Sequence, residues 1–539
     1  EEYALDELTI RKLVRSTDRA ERVFAAQVLA KLDDEKLAPA LAELMRDINP
    51  DVRIAAIVSA GISKWPELWQ LMIENLQTPV YANAAKAGLI AGGEPALHTI
   101  DTAFYKTGQH PSTMFRVIQI LGRIGGPEGV ERLWKKIDFP DKAIVSELLL
   151  SLSYIGYHAK EFQAARIKIQ IESEIGDVAW NTKVLMEMPS KTETDLLLIQ
   201  ALEEENAQNK DDIFMLMALI YDSQAVELVK ENIKVGTSES ITFAVEMMDI
   251  FLEDELKPKA FPVFDDIKPE ERLVRLSDHY APEIFTSYED MLLCIVNRDY
   301  NHMNRWTKAV ALYRLSMMDD LKVSADLIAN LFNPDRLMLQ TSAWIIYKQD
   351  KGEYQRNTRR IRPGVKKDLD RAIVPPTFVE TEEDLHMKML LIEKAVFVKS
   401  LDLFQTIPGA VLTDLVELSE EVRMKEGVTF VKEGDNGNAP IYIIVEGEVT
   451  EHSLDNHRRT LRRKDVIGFN KLVETDKFEY SYTTKSEAVF LTVSMDTLFD
   501  LMSKNIEMVE ATLLSVKDSE KEQLKEEVMN EERLLFFTQ

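Results

Sequence analysis

The sequence predicts a multidomain α + β protein in which an α-solenoid of helical hairpins precedes a β-barrel or jelly roll with flanking helices. Three observations support this fold class. Prolines recur in the N-terminal third at Pro50, Pro79, Pro111 and Pro140, in steps of 29, 32 and 29 residues. After Val422 the apolar pattern changes from a helical period to a strand-like one. A segment rich in basic residues separates the two parts.

The composition excludes some classes of function. The 539-residue chain has 65 Lys and Arg against 92 Asp and Glu, which gives a formal net charge of −27. This charge repels polyanions and argues against nucleic-acid binding. The one cysteine, Cys294, cannot form an internal disulfide, as expected in a reducing compartment. No apolar run reaches the roughly 18–20 residues that a membrane-spanning helix needs.

The proline-led blocks are typical of stacked helical hairpins. Proline suits the first turn of a helix, and small residues such as Ala55 and Ala56 allow neighbouring helices to pack closely. One hairpin cannot bury its own apolar face, so the units are expected to stack. We predict a solenoid over residues 1–350, with regular repeats in 1–157 and divergent ones in 158–350. The divergent part includes two separate helical segments, Leu196–Glu204 and Asp211–Tyr221.

The block VRIAAIVSAG, which begins at Val52, has an arginine in its first turn followed by paired alanines. Several blocks share this pattern in register and resemble HEAT repeats. The resemblance implies a scaffold that binds protein partners on the concave face of the solenoid, rather than a catalyst.

Residues 351–380 are predicted to form a basic linker, because Pro363-Gly364 and Pro375-Pro376 are expected to break helices. The segment contains seven basic residues: Arg356, Arg359, Arg360, Arg362, Lys366, Lys367 and Arg371. Two interpretations remain open. One is a solvated connector, and the other is a contact with anionic lipid or phosphate through these residues.

Residues 381–515 are predicted to form the barrel domain. Short β-rich runs occur at Thr429–Val431, Ile441–Val445, Glu448–His452 and Val489–Val493, separated by turn residues. Residues 516–539 are predicted to form an acidic helix with an apolar tail. That tail is expected either to pack on the barrel or to dock a partner.

The stretch from Leu403 to Val449 resembles the first half of the cyclic-nucleotide-binding domain. The matching elements are Leu403-Phe404, Glu433-Gly434-Asp435, and a strand pair that turns at Glu446-Gly447. The resemblance covers residues 400–515 approximately and implies the barrel fold of that family.

The second half departs from the family where the nucleotide would bind. The family's phosphate-binding cassette reads Phe-Gly-Glu, then a short helix, then Arg; here Phe469 stands at the Glu position, and no arginine lies between Asp465 and Thr497. Without that arginine the cyclic phosphate loses its bidentate partner. We therefore predict that the barrel does not bind a cyclic nucleotide in the family's usual way. Compensation by other groups stays open, with Lys477 and Lys485 as further cations and these pocket candidates: Gly468, Phe469, Asn470, Lys471, Tyr480, Thr483 and Thr484.

No known catalytic or metal-binding pattern occurs in the sequence. There is no HExxH, no cysteine-rich zinc spacing, no phosphate-binding GxxxxGK[ST] loop and no GxSxG elbow. We therefore predict a non-enzymatic protein with no cofactor, no metal site and no catalytic residues.

The order of HEAT-like solenoid and barrel is similar to the soluble C-terminal region of bacterial nucleotide-translocase-type (ATP:ADP antiporter-like) membrane proteins. The run from Thr242 to Asp266 resembles a stretch of their solenoids. The resemblance implies a cytoplasmic scaffold or regulatory module, tethered to the inner membrane through a segment that this chain does not contain. The alternative is a nucleotide-gated sensor, in which a ligand in the barrel regulates the solenoid or an attached transporter domain.

Overall fold

A computed structural model describes residues 7–32, 34–318, 321–374, 389–435, 439–453, 458–469, 477–503, 505, 508–509 and 512–513. By internal contacts the chain divides into two compact units. Unit 1 takes the described residues of 1–190, 202–286 and 298–304, and unit 2 takes those of 191–201, 287–297 and 305–539. This division crosses the predicted domain boundaries, which stay predictions.

Ten helices form the first part of unit 1. They are α1 (Glu7–Val14), α2 (Arg19–Leu29), α3 (Ala38–Leu44), α4 (Pro50–Ser63), α5 (Trp69–Asn75), α6 (Pro79–Gly92), α7 (Leu97–Phe104), α8 (Pro111–Ile124), α9 (Gly126–Trp134) and α10 (Lys142–Ile155). The even-numbered helices from α2 to α10 pack side by side in chain order, and α3, α5, α7 and α9 pack beneath them as the other arms of the hairpins. The predicted stack of helical hairpins is confirmed in this region.

The sequence fixes where these helices begin through caps and prolines. Pro50, Pro79 and Pro111 are each the first residue of a helix, where the missing N–H costs nothing. Pro140 was predicted to play the same part, but α10 begins two residues later. Asp141 caps that helix by accepting a hydrogen bond from the Ile144 N–H at 3.2 Å.

Close packing between neighbouring even-numbered helices depends on glycines, which have no side chain. A Cβ placed at Gly61 of α4 would lie 2.6 Å from the Gly88 Cα of α6, far inside van der Waals contact. Polar side-chain contacts add to this packing. Arg22 of α2 binds Asp47 through its Nε at 2.7 Å, and the Arg53 Nε of α4 donates to the Asn75 Oδ1 of α5 at 2.7 Å. The arginine of the HEAT-like pattern therefore joins the two helices of one hairpin.

Six further helices follow, and all lie in unit 1 except the residues of the second one up to Ala201, which belong to unit 2. They are α11 (Glu161–Glu187), α12 (Glu193–Ala218), α13 (Ser223–Val235), α14 (Ser238–Phe251), α15 (Lys257–Phe264) and α16 (Pro269–Leu276). The prediction of separate segments at Leu196–Glu204 and Asp211–Tyr221 was wrong, because α12 runs unbroken through both. The intervening EENAQNKDD contains no proline or glycine, and three of its polar residues, Glu205, Asn209 and Asp212, are buried.

Unit 2 begins with α17 (Tyr288–Asn297), α18 (Arg305–Leu315), α19 (Ala325–Asn330), α20 (Arg336–Gln349), α21 (Lys351–Thr358) and α22 (Pro363–Ile373). The linker predicted at 351–380 was wrong for residues 351–373, which form two helices packed on α20. Pro363-Gly364 starts α22 instead of breaking a helix, because proline is tolerated in the first turn. Tyr354 is buried, and its hydroxyl donates to the Asp370 Oδ1 at 2.8 Å, which joins α21 to α22. Pro375-Pro376 lies outside the described residues.

Two helices, α23 (Leu391–Lys399) and α24 (Gly409–Glu417), precede the barrel, and α25 (Met495–Met502) follows it. The strands are β1 (Glu420–Met424), β2 (Thr429–Val431), β3 (Ile441–Glu446), β4 (Val449–His452), β5 (Arg458–Leu461), β6 (Val466–Ile467), β7 (Ser481–Thr484) and β8 (Ala488–Val493). They form two antiparallel four-stranded sheets, in the orders β1-β8-β3-β6 and β2-β7-β4-β5. The predicted multidomain α + β class is therefore confirmed. The acidic helix predicted at 516–539 lies outside the described residues.

None of the helices described is at once long enough and apolar enough to cross a membrane. The two longest, α11 and α12, have 27 and 26 residues but carry charged side chains along their length.

Candidate functional site

The cassette positions of the barrel are built into its core. Gly468 follows β6 with φ +87°, a left-handed conformation that favours glycine. The next residue, Phe469, is only 5% exposed and packs edge-to-face on Phe404, with ring centroids 6.0 Å apart. Phe469 therefore packs against the short helical turn Asp402–Phe404 that precedes α24. Asn470 and Lys471 lie outside the described residues.

The family resemblance implies an arginine near Phe478 or Glu479, and the first of these is a buried aromatic ring while the second is an exposed acid. Phe478 is 4% exposed and belongs to the core of the barrel. Its ring lies 6.0 Å from that of Tyr482, and its Cε1 lies 3.5 Å from where a Gly468 side chain would begin. The ring therefore fills space beside the glycine that the cassette pattern retains.

The remaining candidates, Tyr480, Thr483 and Thr484, lie at or near β7, in the sheet that does not contain β6. Thr484 is buried, accepts a hydrogen bond from the Val428 N–H at 2.9 Å and donates to the Lys425 carbonyl at 2.6 Å. Thr483 bonds the Thr429 hydroxyl at 2.8 Å. These contacts pair strands together, so both threonines have structural partners.

The described interior of the barrel is mainly aromatic, with the buried carboxyl group of Glu451 beside Tyr482. Phe430 lies 4.8 Å from Tyr442 and 5.1 Å from Phe490 between ring centroids, and Tyr482 joins the same cluster. Burial raises the pKa of Tyr442 and of Tyr482, so both phenols stay neutral at physiological pH. Of the two lysines proposed as substitute cations that the structure describes, Lys485 is paired with Glu448 at 2.8 Å and Lys477 is exposed. Among the described residues this lining suits packing, and neither Lys477 nor Lys485 is a buried cation for the phosphate anion.

A second candidate is the surface formed by the exposed side chains of α4, α6, α8 and α10, here called the even-helix face. Each of these helices has 14 residues, and together they contain only two acidic ones, Asp51 and Glu147. Glu147 is buried, and Asp51 pairs with Arg19 at 3.0 Å. In a chain with net charge −27, an exposed surface nearly free of acid is a clear departure.

Large apolar side chains project from this face. Val58 and Ile62 on α4 are 47% and 61% exposed, and Leu150 and Tyr154 on α10 are 53% and 66% exposed. The one exposed arginine, Arg123 of α8, stacks over the Tyr154 ring at 4.1 Å. Apolar area of this kind, interrupted by a stacked arginine, matches the composition of protein-binding surfaces.

The basic segment forms an exposed turn between α21 and α22. Arg356 pairs with Glu353, Lys366 pairs with Asp370 at 2.5 Å, and Arg360 stacks over Phe332 at 5.1 Å. Arg359, Arg362 and Lys367 are exposed. The seven predicted basic residues thus lie on α21, on α22 and in the turn between them.

A buried cluster of charge in unit 1 was missed by the sequence analysis. Lys142, at the start of α10, lies 3.4 Å from Glu205 and 3.8 Å from Glu174, and Asp212 and Asp177 add further negative charge around it. All five side chains belong to residues no more than 7% exposed. Burial raises the pKa of Glu174 to about 8 and that of Asp212 to about 6, against the opposing attraction of Lys142. Glu174 therefore holds a proton at neutral pH.

This cluster positions residues 298–304 within unit 1. Asp177 binds Arg298 and also the His302 Nδ1 at 3.0 Å, and the Asn304 N–H donates to the Glu205 Oε1 at 2.7 Å. The signal in the sequence was the helical spacing of Glu174, Asp177 and Asn181 among apolar neighbours on α11. Within the described ranges, no group of His, Cys, Asp and Glu could hold a metal ion.

An open cleft of about 580 Å³ lies beside α7 and is lined by His98, Asp101, Tyr105 and Lys106, among others. Asp101 is already engaged by Arg132 at 3.2 Å and by Lys136. The Tyr105 hydroxyl has its pKa raised by burial and by Asp101. The carboxylate of Asp101 in this cleft is therefore already paired with two cations.

Comparison with known proteins agrees with the helical part of this description. Residues 7–91 match the family of HEAT repeats. The predicted HEAT character of the N-terminal region is therefore confirmed. No curated protein sequence matches the chain, and the resemblance to nucleotide-translocase-type proteins stays a prediction.

About a quarter of the chain is similar to solved structures of cyclic-nucleotide-binding domains and related sensors. The sensor domain of the transcriptional regulator DNR from Pseudomonas aeruginosa is 13% identical, with 25% of this chain and 94% of that chain covered and a TM-score of 0.23. A putative cyclic nucleotide-binding protein from Geobacter metallireducens is 15% identical over 23% and 94%, with a TM-score of 0.22. A cyclic nucleotide-binding domain from Methylobacillus flagellatus is 17% identical over 26% and 83%, with a TM-score of 0.23.

Proposed function

We propose that the chain is a non-enzymatic scaffold or regulatory module that binds a protein partner through the even-helix face. The observation that carries the proposal is the near absence of acidic side chains from this face, together with four large exposed apolar ones. In so acidic a chain, a face that contacts only water is expected to carry acidic side chains instead of large apolar ones. HEAT repeats, which match residues 7–91, mediate protein interactions in general.

Within this proposal the barrel is a packed regulatory or transmission module and not a nucleotide receptor. Phe469 is buried at the position where the resemblance implies the ribose-binding group, and Phe478 is buried next to Glu479, near where it implies the phosphate-binding one. The competing candidate is the nucleotide-gated sensor. It requires a ligand with different affinities for two states of the barrel, and cations to replace the absent arginine.

The proposal extends to an attachment to a membrane transporter-type protein, with the chain on the cytoplasmic side of the inner membrane. Its support is the order of solenoid and barrel and the similarity of the run from Thr242 to Asp266. The reading frame that precedes Glu1 tests this extension. Apolar spans of roughly 20 residues each are expected there, and a start codon directly before Glu1 would contradict it.

Charge placed on the even-helix face tests the central proposal. Val58→Glu and Leu150→Glu each put a carboxylate in the middle of the apolar surface. Loss of partner binding by about thirtyfold or more is expected, as for residues at the centre of an interface. Binding is measured with the purified chain against the protein that wild-type chain captures from its source cells.

Ile169→Glu is the matched control, because Ile169 on α11 is 64% exposed and lies outside the face. All three variants are expected to melt at the wild-type temperature, since each site is exposed. A partner that binds the wild type and all three variants equally would show that the even-helix face is not the binding surface.

A further inference from the structure

The turn between α21 and α22, with the helix that follows it, presents exposed basic groups. Arg359, Arg362, Lys367 and Arg371 are exposed and make no hydrogen bond or ion pair with the residues that the structure describes. Two nearby acids are already paired, Glu353 with Arg356 and Asp370 with Lys366, which leaves Asp368 as an exposed acid among these cations. From Arg356 to Arg371 there are seven basic residues and two acidic ones. The surface therefore carries a net positive charge in a strongly acidic chain.

Exposed apolar side chains lie among these cations. Phe332 is 44% exposed, and the Arg360 guanidinium stacks over its ring at 5.1 Å. Val365, in the first turn of α22, is 39% exposed and lies between Arg362 and Lys367 in the chain. Cations with apolar groups between them are the composition of surfaces that bind at the lipid–water boundary, where the cations meet headgroups and the apolar groups enter the acyl region.

We infer that this surface, defined by Arg359, Arg362, Lys367, Arg371, Phe332 and Val365 and called the basic–apolar patch, binds anionic lipid headgroups on a membrane. An acidic protein surface would complement the same charges, and the test below therefore includes an outcome that would assign one. The acidic remainder of the chain is repelled by an anionic bilayer, so the patch is the part that turns towards it. The inference goes beyond the proposed protein-binding role and stands if that role fails, because vesicle binding needs no protein partner.

The test is co-sedimentation of the full chain with vesicles of phosphatidylcholine alone or with about 30% phosphatidylserine. Binding to the mixed vesicles and not to phosphatidylcholine is expected. Each cation removed costs about fivefold in affinity, so the triple variant Arg359→Gln/Arg362→Gln/Lys367→Gln is expected to lose about a hundredfold. Val365→Ser is expected to weaken binding at fixed ionic strength, which a purely electrostatic contact would not explain, because this substitution changes no charge.

The matched control is Arg458→Gln/Arg459→Gln/Arg463→Gln, which removes the same charge from exposed positions at and after β5. It is expected to bind as the wild type does. Equal sedimentation of both triple variants, or equal binding of wild type to both kinds of vesicle, would overturn the inference. Two further outcomes would also overturn it. One is displacement by inorganic phosphate beyond that by chloride at equal ionic strength, which would assign a discrete phosphate site. The other is self-association that the patch variant abolishes while vesicle binding is absent, which would assign an acidic protein surface.

Discussion

Lys142 and the carboxylates around it form the most densely charged part of the interior that the structure describes. Four acids, Glu174, Asp177, Glu205 and Asp212, are buried with one lysine, and Arg298 at the edge neutralises Asp177. Because burial raises the pKa of Glu174 to about 8, the folded chain holds a proton there that the unfolded chain releases above its ordinary carboxyl pKa. A group that binds protons more tightly when folded stabilises at low pH and loses that contribution as pH rises. The folded state is therefore expected to weaken between about pH 5 and pH 8.

The variant Glu174→Gln isolates this effect, since the amide mimics the protonated acid at every pH. The wild-type free energy of unfolding is expected to fall by about 2 kcal/mol more than that of the variant between about pH 6 and pH 8. Thermal unfolding midpoints across that range measure the difference. Glu231→Gln, at an exposed position of α13, is the control and should follow the wild type. Parallel pH profiles for all three proteins would contradict a proton on Glu174.

At the scale of single residues, the sequence predicted which nucleotide-binding groups are missing better than it predicted where the residues that replace them lie. The absence of a glutamate at Phe469 and of an arginine near Phe478 could be read directly. The burial of both rings could not be predicted, because the strand pattern around Phe478 does not specify which side chains face the core. The Lys142 cluster was missed for a related reason. In a chain with 92 acidic residues, nothing in composition distinguishes the few that become buried.

Helix α24, which leads into the barrel, is held against α18 by a charged and an apolar contact within unit 2. Arg305 of α18 reaches Glu417 at 3.0 Å and the Thr413 hydroxyl at 3.1 Å, and it also pairs with Asp414. Beside it, the Nε1 of buried Trp306 lies only 2.0 Å from where a side chain at Gly409 would begin. Helix α24 can therefore approach α18 this closely only with glycine at position 409.

Gly409→Ala tests this contact. The added methyl group is expected to push α24 off Trp306 at a cost of about 1–3 kcal/mol, as for other overpacked sites. Hydrogen–deuterium exchange should become faster in the amides of α18 and α24. Gly364→Ala is the matched control, since Gly364 also lies in the first turn of a helix but has no atom within 4 Å of its added Cβ. Unchanged exchange in Gly409→Ala, or the same change in both variants, would contradict the packing described.

Helices that begin at a proline were predictable from the sequence, and helices that depend on buried contacts were not. Pro50, Pro79 and Pro111 correctly predicted the first residues of three helices, because proline after a polar cap residue is favoured in the first helical turn. The unbroken α12 and the helices over 351–373 were mispredicted by local composition. Polar runs and a Pro-Gly pair indicate loops on average, but burial of Tyr354 against Asp370 and the buried face of α12 stabilise helices there instead.

Charge is distributed unevenly over the chain as a whole. The total of −27 coexists with an even-helix face that is almost free of acid and with the basic–apolar patch. Both regions are less acidic than the average of the chain, the first because it is largely apolar and the second because it is basic. The sequence revealed the basic region directly because its residues are contiguous. The even-helix face is spread over four repeats and becomes visible only when the helices are stacked.

The central claim is that the barrel has kept the fold of a cyclic-nucleotide-binding domain while aromatic side chains fill its cassette, so that the protein acts through contact with other molecules. Calorimetric titration of the full chain with cyclic AMP and cyclic GMP tests this most directly. The account predicts no heat of binding and no rise in the unfolding midpoint at millimolar nucleotide. A micromolar dissociation constant for either one, abolished by Lys471→Gln or Lys477→Gln, would contradict it.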